Sequence, residues 1–276
     1  MSNVIDATAF RAHYGPWAVV CGASDGTGAA YAHQLAELGL NLVLIARRLG
    51  VLEDLAASLE RRHGISTRVA AVDLAERDAS RSVIGAAAGL EVGLLVTNAG
   101  ADTTGKSFLD APLDVWRSLV QRNVLTVTEL VYGFAAPMRV RRRGGVLLMS
   151  SGTALGGQPG TTVYCSTKGY DLNMAESLWG ELAPFGVDVL AGVCPVMNTP
   201  TLQRVLAGKN IVVPGLFEPS DVVRTLLGKL SNGPVHIFAF GEEAENAFAL
   251  EQSRRTRVIA MQNISKVFFS EEKSGG

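Results

Sequence analysis

Seven short apolar runs alternate with longer stretches of helical pattern along the 276 residues, and this alternation limits the chain to very few folds. The runs are nearly unbroken by polar residues, as in parallel strands that helices cover on both faces. The predicted strands are 17–21, 41–46, 67–72, 92–97, 145–149, 187–193 and 235–240. The predicted helices are 27–38, 49–63, 76–88, 112–142, 162–183 and 219–230. This order predicts an α/β fold with a doubly wound parallel sheet.

The alternation runs through the chain without a repeat, a low-complexity segment or a Pro/Gly-rich linker. We therefore expect a single domain over residues 1–276. Two segments fall outside the regular order. Residues 194–218 form a long connection after the sixth strand, on the side where a substrate is expected. Residues 241–276 form a polar tail with a helix predicted near 243–262.

Composition excludes several classes of protein. Apolar residues make up 47% and charged residues 18%, which is the reverse of a disordered chain. With 25 Lys and Arg against 26 Asp and Glu, non-specific binding of nucleic acid is not expected. No apolar run approaches the roughly 20 residues that span a bilayer, and no signal peptide pattern is visible. The three cysteines and four histidines are scattered, so we predict no metal site and a cytoplasmic location.

A glycine-rich turn follows the first predicted strand and reads Gly22-Ala23-Ser24-Asp25-Gly26-Thr27-Gly28. Glycines there allow a tight turn and let backbone N–H groups approach a pyrophosphate, and the next helix adds its positive N-terminal dipole. Such turns also occur without ligands, but the strand before and the helix after favour a dinucleotide site.

The end of the second predicted strand indicates which dinucleotide is bound. Folds that select NAD place an acidic residue there for the ribose 2′-hydroxyl. This chain has Arg47 and Arg48 instead, and a guanidinium suits a 2′-phosphate. The alternative is an ordinary pair of solvated arginines. We predict a preference for NADP(H), with NAD(H) still possible.

Polar side chains after the fifth predicted strand suggest a reaction site. Ser150 and Ser151 end that strand, and Tyr164 and Lys168 follow, four residues apart and hence on one face of a helix. An ammonium beside a phenol favours the phenolate, so we expect Lys168 to lower the pKa of Tyr164 from about 10. Alone, this Tyr–Lys spacing is common on helices.

Four motif blocks in order make the chain resemble the short-chain dehydrogenase/reductase family from Gly15 to about residue 240. The glycine motif matches Gly22, Gly26 and Gly28. The family's adenine-side acid matches Asp73, followed by Leu74, and its Asn-Ala-Gly motif matches Asn98, Ala99 and Gly100. Its active-site tetrad matches Asn123, Ser151, Tyr164 and Lys168. The resemblance implies a Rossmann-type sheet of seven parallel strands in the order 3-2-1-4-5-6-7.

The resemblance also implies hydride transfer between nicotinamide C4 and a carbonyl or secondary alcohol. Tyr164 would exchange the proton with the substrate oxygen, and Ser151 would hold that oxygen. Lys168 would bind the nicotinamide ribose and support the tyrosinate. Asn123 would anchor a water that relays protons to Lys168.

The chain departs from the family pattern near the nicotinamide and in the turn. The usual Pro-Gly after the sixth strand reads Pro195-Val196, and the expected Thr comes one residue early, at Thr199. The resemblance implies that Pro195 and Thr199 contact the nicotinamide side of the cofactor from this altered loop. The carboxylate of Asp25 in the turn would weaken the affinity for a 2′-phosphate.

Several stretches look like the branch of 17β-hydroxysteroid dehydrogenases and long-chain 3-oxoacyl-CoA reductases, including Gly15-Pro16-Trp17 and Asp25-Gly26-Thr27-Gly28. The expected substrate walls are apolar residues after the sixth strand: Val196, Met197, Leu202, Leu206, Leu216 and Phe217. Apolar walls suit a bulky hydrophobic ketone or alcohol, of steroid, aromatic or acyl type. The alternative is that these residues only cover the core.

The leading hypothesis is an NADPH-preferring oxidoreductase acting on a bulky hydrophobic ketone or secondary alcohol. One alternative is an NAD-dependent alcohol dehydrogenase working in the oxidative direction. A second is a dinucleotide-sensing or scaffolding protein without turnover, which would have no need of both Tyr164 and Ser151. From the family we expect a homodimer or homotetramer, formed through helices 112–142 and 162–183.

Overall fold

The sheet of this protein has seven parallel strands in the order β3-β2-β1-β4-β5-β6-β7. A computed structural model describes residues 5–208, 212–213 and 215–238. The strands are β1 (Trp17–Cys21), β2 (Asn41–Ala46), β3 (Thr67–Ala71), β4 (Val92–Thr97), β5 (Gly144–Ser151), β6 (Val187–Cys194) and β7 (Val235–Ile237). The predicted fold class and strand order are therefore confirmed. The predicted tail helix near 243–262 lies outside the described residues, as do positions 239–240 of the last predicted strand.

Helices cover both faces of this sheet. They are α1 (Ala7–Tyr14), α2 (Gly26–Glu37), α3 (Leu49–His63), α4 (Ala79–Ala86), α5 (Leu113–Val120), α6 (Thr126–Arg141), α7 (Thr162–Leu182), α8 (Pro200–Leu206) and α9 (Pro219–Lys229). Buried side chains of α1, α2, α3 and α9 form one core with one face of the strands. Those of α4, α6 and α7 form a second core on the other face.

The two cores explain why the strands read as unbroken apolar runs. Successive side chains of a strand point to opposite faces of the sheet. In β4, Leu94 lies in the first core and Leu95 in the second, and both are fully buried. In β5, Leu147 and Leu148 divide in the same way. With helices on both faces, no strand position in the sheet centre faces water.

Two helices in the described ranges, α1 and α8, were not predicted from the sequence. Asp6 caps α1, because its Oδ1 accepts hydrogen bonds from the backbone N–H groups of Thr8 and Ala9. Thr199 caps α8 in the same way, with its Oγ1 accepting from Leu202 N at 3.2 Å. Helix α8 lies inside 194–218, which was expected to be an irregular connection. At seven and eight residues, both helices are too short for a clear apolar period.

The predicted continuous helix 112–142 was wrong. A π turn over Gln121–Leu125 separates α5 from α6, and the Thr126 N–H bonds back to the Gln121 carbonyl. A π turn holds one residue more than an α turn, so it shifts the side chains after it around the helix axis. The predicted helix 76–88 is also shorter, because hydrogen-bonded turns over 73–79 precede α4.

Parallel pairing brings the carboxyl ends of the central strands to one edge of the sheet. Cys21 at the end of β1 pairs with Thr97 at the end of β4. Ser151 at the end of β5 pairs with Cys194 at the end of β6. Residues that follow these strands therefore meet at this edge, which we call the carboxyl edge.

No helix in the described ranges is long and apolar enough to cross a membrane.

The start of β4 leaves no room for a side chain at Gly93. A Cβ placed there would lie 2.4 Å from the carbonyl oxygen of Tyr14 and 2.5 Å from that of Gly15. We expect Gly93→Ala to lower the free energy of unfolding by about 1–3 kcal/mol, because backbone must move. Urea denaturation measures this.

Gly85 is the matched control, since a Cβ at this position of α4 would meet nothing within 4 Å. Gly85→Ala should be neutral or raise the unfolding free energy by up to about 1 kcal/mol, through better helix propensity. Equal effects of the two substitutions would contradict this view of the α1–β4 contact.

Candidate active site

The glycine-rich turn after β1 packs backbone against backbone. Gly22 has φ +86°, and a Cβ there would lie 3.0 Å from the backbone nitrogen of Ala99. A Cβ on Gly28 would lie 1.8 Å from the Gly22 carbonyl oxygen. That oxygen also accepts a hydrogen bond from Asn98 Nδ2 at 3.2 Å. The turn after β1 and the Asn98-Ala99 segment after β4 therefore form one unit at the carboxyl edge.

The carboxylate of Asp25 is paired rather than free. Its Oδ1 accepts the Gly26 N–H at 2.9 Å and so caps α2. Its Oδ2 lies 2.8 Å from Arg204 Nη2 and 3.4 Å from Arg48 Nη2. The same Nη2 of Arg48 also donates to the Ser24 carbonyl at 3.2 Å. Two guanidinium groups therefore offset the negative charge that the sequence places in the turn.

Arg47 and Asp73 lie beside each other at the ends of β2 and β3. The Arg47 Nη1 is 4.0 Å from Asp73 Oδ2, and the Arg47 side chain is 73% exposed. Together with Asp25, Arg48 and Arg204, these side chains comprise three guanidinium groups and two carboxylates, with a net charge of plus one. A positive edge beside a helix N-terminus and a glycine turn fits the phosphates of a dinucleotide.

Leu74, next to Asp73, is buried and joins the edge to α6. Its carbonyl oxygen accepts a hydrogen bond from Thr126 Oγ1 at 2.9 Å. Asp73 Oδ1 accepts the Ala75 N–H at 3.0 Å. The backbone after β3 is therefore fixed at the place expected for the adenine side of a dinucleotide.

A cavity of about 530 Å³ lies between the turn and the segment after β6. The residues that line it are mainly polar or charged: Asp25, Arg48, Asn198, Thr199, Pro200, Gln203 and Arg204. Thr199 reaches the turn itself, since a Cβ on Gly26 would lie 3.2 Å from the Thr199 methyl. Arg204 was missed in the sequence, because only the fold of α8 brings it to Asp25.

Asn123 holds three elements together from the π turn. Its side chain is buried, and its Nδ2 donates to the Gly100 carbonyl and to Thr167 Oγ1, both at 3.0 Å. Gly100 has φ +155°, and a Cβ there would lie 2.9 Å from Asn123 Oδ1. The π turn, the segment after β4 and helix α7 therefore meet at Asn123.

Ser151, Tyr164 and Lys168 lie together where β5 ends against α7. The Ser151 side chain hydrogen-bonds Tyr164, and its Oγ also accepts the Thr153 N–H at 3.3 Å. The Lys168 Nζ is 5.8 Å from the centre of the Tyr164 ring. Ser150 ties α7 to the strand, because its Oγ donates to the Lys168 carbonyl at 2.8 Å.

The predicted lowering of the Tyr164 pKa was wrong. Burial raises the pKa of this phenol, while Lys168 and the hydrogen bond to Ser151 oppose the shift without reversing it. Cys194 and Asp171 add to the increase. Removal of water penalises the phenolate, so Tyr164 is a neutral phenol and a proton donor at neutral pH.

Lys168 is paired with Asp171, a residue not singled out in the sequence. The Lys168 Nζ lies 2.9 Å from Asp171 Oδ2 and donates to the Met149 carbonyl at 2.6 Å. Burial alone would lower the pKa of Lys168, but Asp171, together with Tyr164 and Cys194, outweighs this effect, and the net direction is upward. The spacing of three residues on a helix could have indicated the pair.

The expected substrate residues lie on the segment after β6. Val196 is exposed, Pro195 before it is buried, and Met197 pairs with Phe217 in a short bridge. Met197 also touches the turn, because its sulfur accepts a hydrogen bond from Thr27 Oγ1 at 3.6 Å. Three further apolar side chains are partly buried here, namely Leu202, Leu206 and Leu216. Their role as substrate walls stays a prediction.

Within the part of the chain that the structure describes, no three His, Cys, Asp or Glu side chains are placed to hold a metal ion. The chemistry available at the carboxyl edge is that of a phenol, a hydroxyl and an ammonium beside a positively charged dinucleotide site.

Comparison with known proteins gives matches over most of the chain. The sequence model of the short chain dehydrogenase family matches residues 16–210. A very-long-chain 3-oxoacyl-CoA reductase-like protein of Arabidopsis thaliana is 33% identical over 214 residues, which is 76% of this chain and 68% of that protein. Human 17-beta-hydroxysteroid dehydrogenase type 3 is 36% identical over 174 residues, which is 62% of this chain and 56% of that protein.

Among solved structures, a short-chain dehydrogenase from Sphingobium yanoikuyae in complex with NADPH is similar, with a TM-score of 0.77 and 25% identity. The match covers 95% of this chain and 99% of that one.

Proposed function

The chain belongs to the short-chain dehydrogenase family, and on that premise we propose that it is an NADP(H)-preferring oxidoreductase for a bulky hydrophobic ketone or secondary alcohol. The observation that carries the proposal is the meeting of Ser151, Tyr164 and Lys168 at the carboxyl edge, with Ser151 hydrogen-bonded to the phenol. Enzymes of this family act on hydroxyl and carbonyl groups. The proposal adds to this a preference for NADP(H) and a bulky substrate.

The roles of the four site residues follow from their chemistry. Tyr164 is a neutral phenol at neutral pH, so in reduction it protonates the oxygen of the forming alcohol. Ser151 donates a hydrogen bond to the substrate oxygen and orients it. Lys168 supplies positive charge beside the phenol and binds the ribose, and Asn123 fixes the π turn against α7. When bound, the nicotinamide supplies or accepts the hydride at C4.

Three arginines support NADP(H) as the cofactor. Arg47 and Arg48 follow β2, where an enzyme selective for NAD carries an acid, and Arg204 approaches the same edge from α8. The carboxylates of Asp25 and Asp73 offset two of the three positive charges, so these five side chains keep a net charge of plus one. The NADPH complex of the Sphingobium relative is consistent with this assignment.

The substrate class is proposed from the relatives and from the apolar side chains after β6. The names of the relatives refer to a hydroxysteroid and to a very-long-chain 3-oxoacyl-CoA, both of which are large apolar molecules. The matched regions span 68% and 56% of those relatives, so their activities transfer only as a proposal. Val196 and Phe217 expose apolar surface on the segment that would cover such a substrate.

We propose a homodimer or homotetramer as the assembled form. Helices α5, α6 and α7 and the π turn expose large apolar side chains, namely Leu113, Leu125, Tyr132, Val140 and Trp179. Exposed apolar patches on helices are typical of protein interfaces. Light scattering should give at least twice the chain mass of 29.1 kDa, and a monomeric mass would contradict the proposal.

The single domain over 1–276 and the cytoplasmic location also stay predictions.

Turnover is tested by a screen of hydroxysteroids, 3-oxoacyl thioesters and aromatic ketones, run with NADPH for reduction and with NADP⁺ for oxidation. We expect turnover in at least one class. Tyr164→Phe should remove nearly all of it, by about 10²–10⁴-fold, because proton transfer loses its donor. Binding of NADPH should be unchanged in this variant.

Tyr170→Phe is the matched control for the screen, because this phenol on α7 binds Thr128 Oγ1 and lies outside the proposed tetrad. Its turnover should stay close to that of the wild type. Full turnover in Tyr164→Phe would refute the assignment. No turnover in any class, with NADPH bound, would favour a dinucleotide-sensing or scaffolding protein.

Cofactor choice is tested by titrating NADPH and NADH by fluorescence. NADPH should bind more tightly than NADH. Arg47→Ala and Arg48→Ala should each weaken NADPH binding about tenfold, because each removes a hydrogen bond between charged groups. NADH binding should change little. Arg61→Ala, at the far end of α3, is the control and should affect neither. Tighter NADH binding, or no effect of Arg47→Ala, would favour the NAD-dependent alternative.

A further inference from the structure

Asp171 is a buried carboxylate that none of the proposed steps uses. Its Oδ2 lies 2.9 Å from the Lys168 Nζ, and the side chains of Lys168 and Asp171 are only 6% and 3% exposed. Water therefore screens the pair very little. The other oxygen, Oδ1, is buried and has no hydrogen-bond partner among the described residues. The ammonium of Lys168 is thus the main interaction of this carboxylate.

The pair fixes the ammonium of Lys168 between a helix and a strand. Asp171 holds it from α7, and the Met149 carbonyl accepts from it at 2.6 Å on β5. Met149 precedes Ser151 by two residues, so the strand that presents the serine also anchors the lysine. The centre of the Tyr164 ring is 5.8 Å from the Nζ. The position of the positive charge relative to the phenol is therefore set by both elements.

Among the described titratable groups, Asp171 and Tyr164 on α7 and Cys194 on β6 face Lys168, and Tyr31 on α2 faces Cys194. Burial raises the pKa of the Cys194 thiol to about 12. Burial also raises the pKa of both phenols, so these three groups are neutral at neutral pH. Burial raises the pKa of the Asp171 carboxyl as well, but the ammonium opposes this. Of these groups, Asp171 is the one that accepts a hydrogen bond from the Lys168 Nζ, at 2.9 Å.

We propose that Asp171 is a positioning residue that keeps the Lys168 ammonium charged and fixed beside Tyr164. The proposal rests on the proposed function, since it concerns the lysine assigned there to the phenol and the ribose. Burial favours the neutral form of a lysine, and a paired carboxylate reverses this preference. Without Asp171, Lys168 loses its proton at a lower pH, and the site loses the charge that favours ionisation of Tyr164.

The direct test is NMR titration of protein labelled at the lysine side chains. The chain has six lysines, and Lys168→Arg identifies the Lys168 signal by its absence. In the wild type Lys168 should be protonated throughout the neutral range. In Asp171→Asn its midpoint should fall by about one pH unit or more, a tenfold loss of proton affinity. An unchanged midpoint, or a neutral Lys168 in the wild type at neutral pH, would overturn the proposal.

Asp221→Asn is the matched control. It removes a carboxylate from another pair with a spacing of three residues, Asp221 with Arg224 at 3.2 Å, but this pair is exposed. The Lys168 midpoint should not move. The titration needs neither substrate nor cofactor, so it is independent of the proposed function. A shifted midpoint without turnover contradicts only the proposed function, and turnover with an unshifted midpoint contradicts only the role of Asp171.

Kinetics separate positioning from a merely structural role. In alcohol oxidation Tyr164 takes up a proton, so Asp171→Asn should slow oxidation at alkaline pH and leave reduction at mildly acid pH nearly unchanged. An equal loss at every pH would overturn the proposal.

If Asp171→Asn does not fold, the urea denaturation of Asp171→Leu is compared with that of the double variant Asp171→Leu, Lys168→Met. The double variant should be the more stable, and no gain over Asp171→Leu would overturn the pairing.

Discussion

Parallel pairing of β1, β4, β5 and β6 is the constraint on which the site depends. In a parallel sheet every strand ends at the same edge, so residues distant in sequence are brought together without any contact of their own. The glycine turn, Asn98 and Ser151 lie at this edge because β1 pairs with β4, β4 with β5 and β5 with β6 in parallel. Burial of both faces of the sheet fixes that register, since a slip of one residue would exchange the two cores.

Charged side chains lie on two sides of the carboxyl edge. On the outer side, arginines and aspartates share an exposed, positively charged surface beside the glycine turn. On the inner side, one ammonium and one carboxylate are paired out of contact with water. The first arrangement suits an anionic ligand that arrives from solvent, and the second suits a charge that must stay in place during proton transfer.

The sequence was sufficient for the sheet and for most of the site. The seven strands follow from unbroken apolar runs, and their order was implied by the family resemblance. The glycine turn and the positions of Ser151, Tyr164 and Lys168 follow from motif spacing. The π turn was not predictable, because the hydrogen bonds that Asn123 makes from it go to Gly100 and Thr167, far away along the chain. Arg204 was missed for the same reason. The pKa of Tyr164 is raised and not lowered as predicted, because burial, which depends on the whole fold, outweighs the effect of the nearby Lys168.

The pairing of Asp25 with Arg204 links helix α8, which follows β6, to the glycine turn after β1. Both side chains are partly exposed, and an ion pair of this kind contributes about 0–1 kcal/mol. Little free energy is therefore lost when Arg204 exchanges the carboxylate for another anion. The Asp25–Arg204 pair therefore leaves a guanidinium on α8 within reach of an anion that binds at the turn.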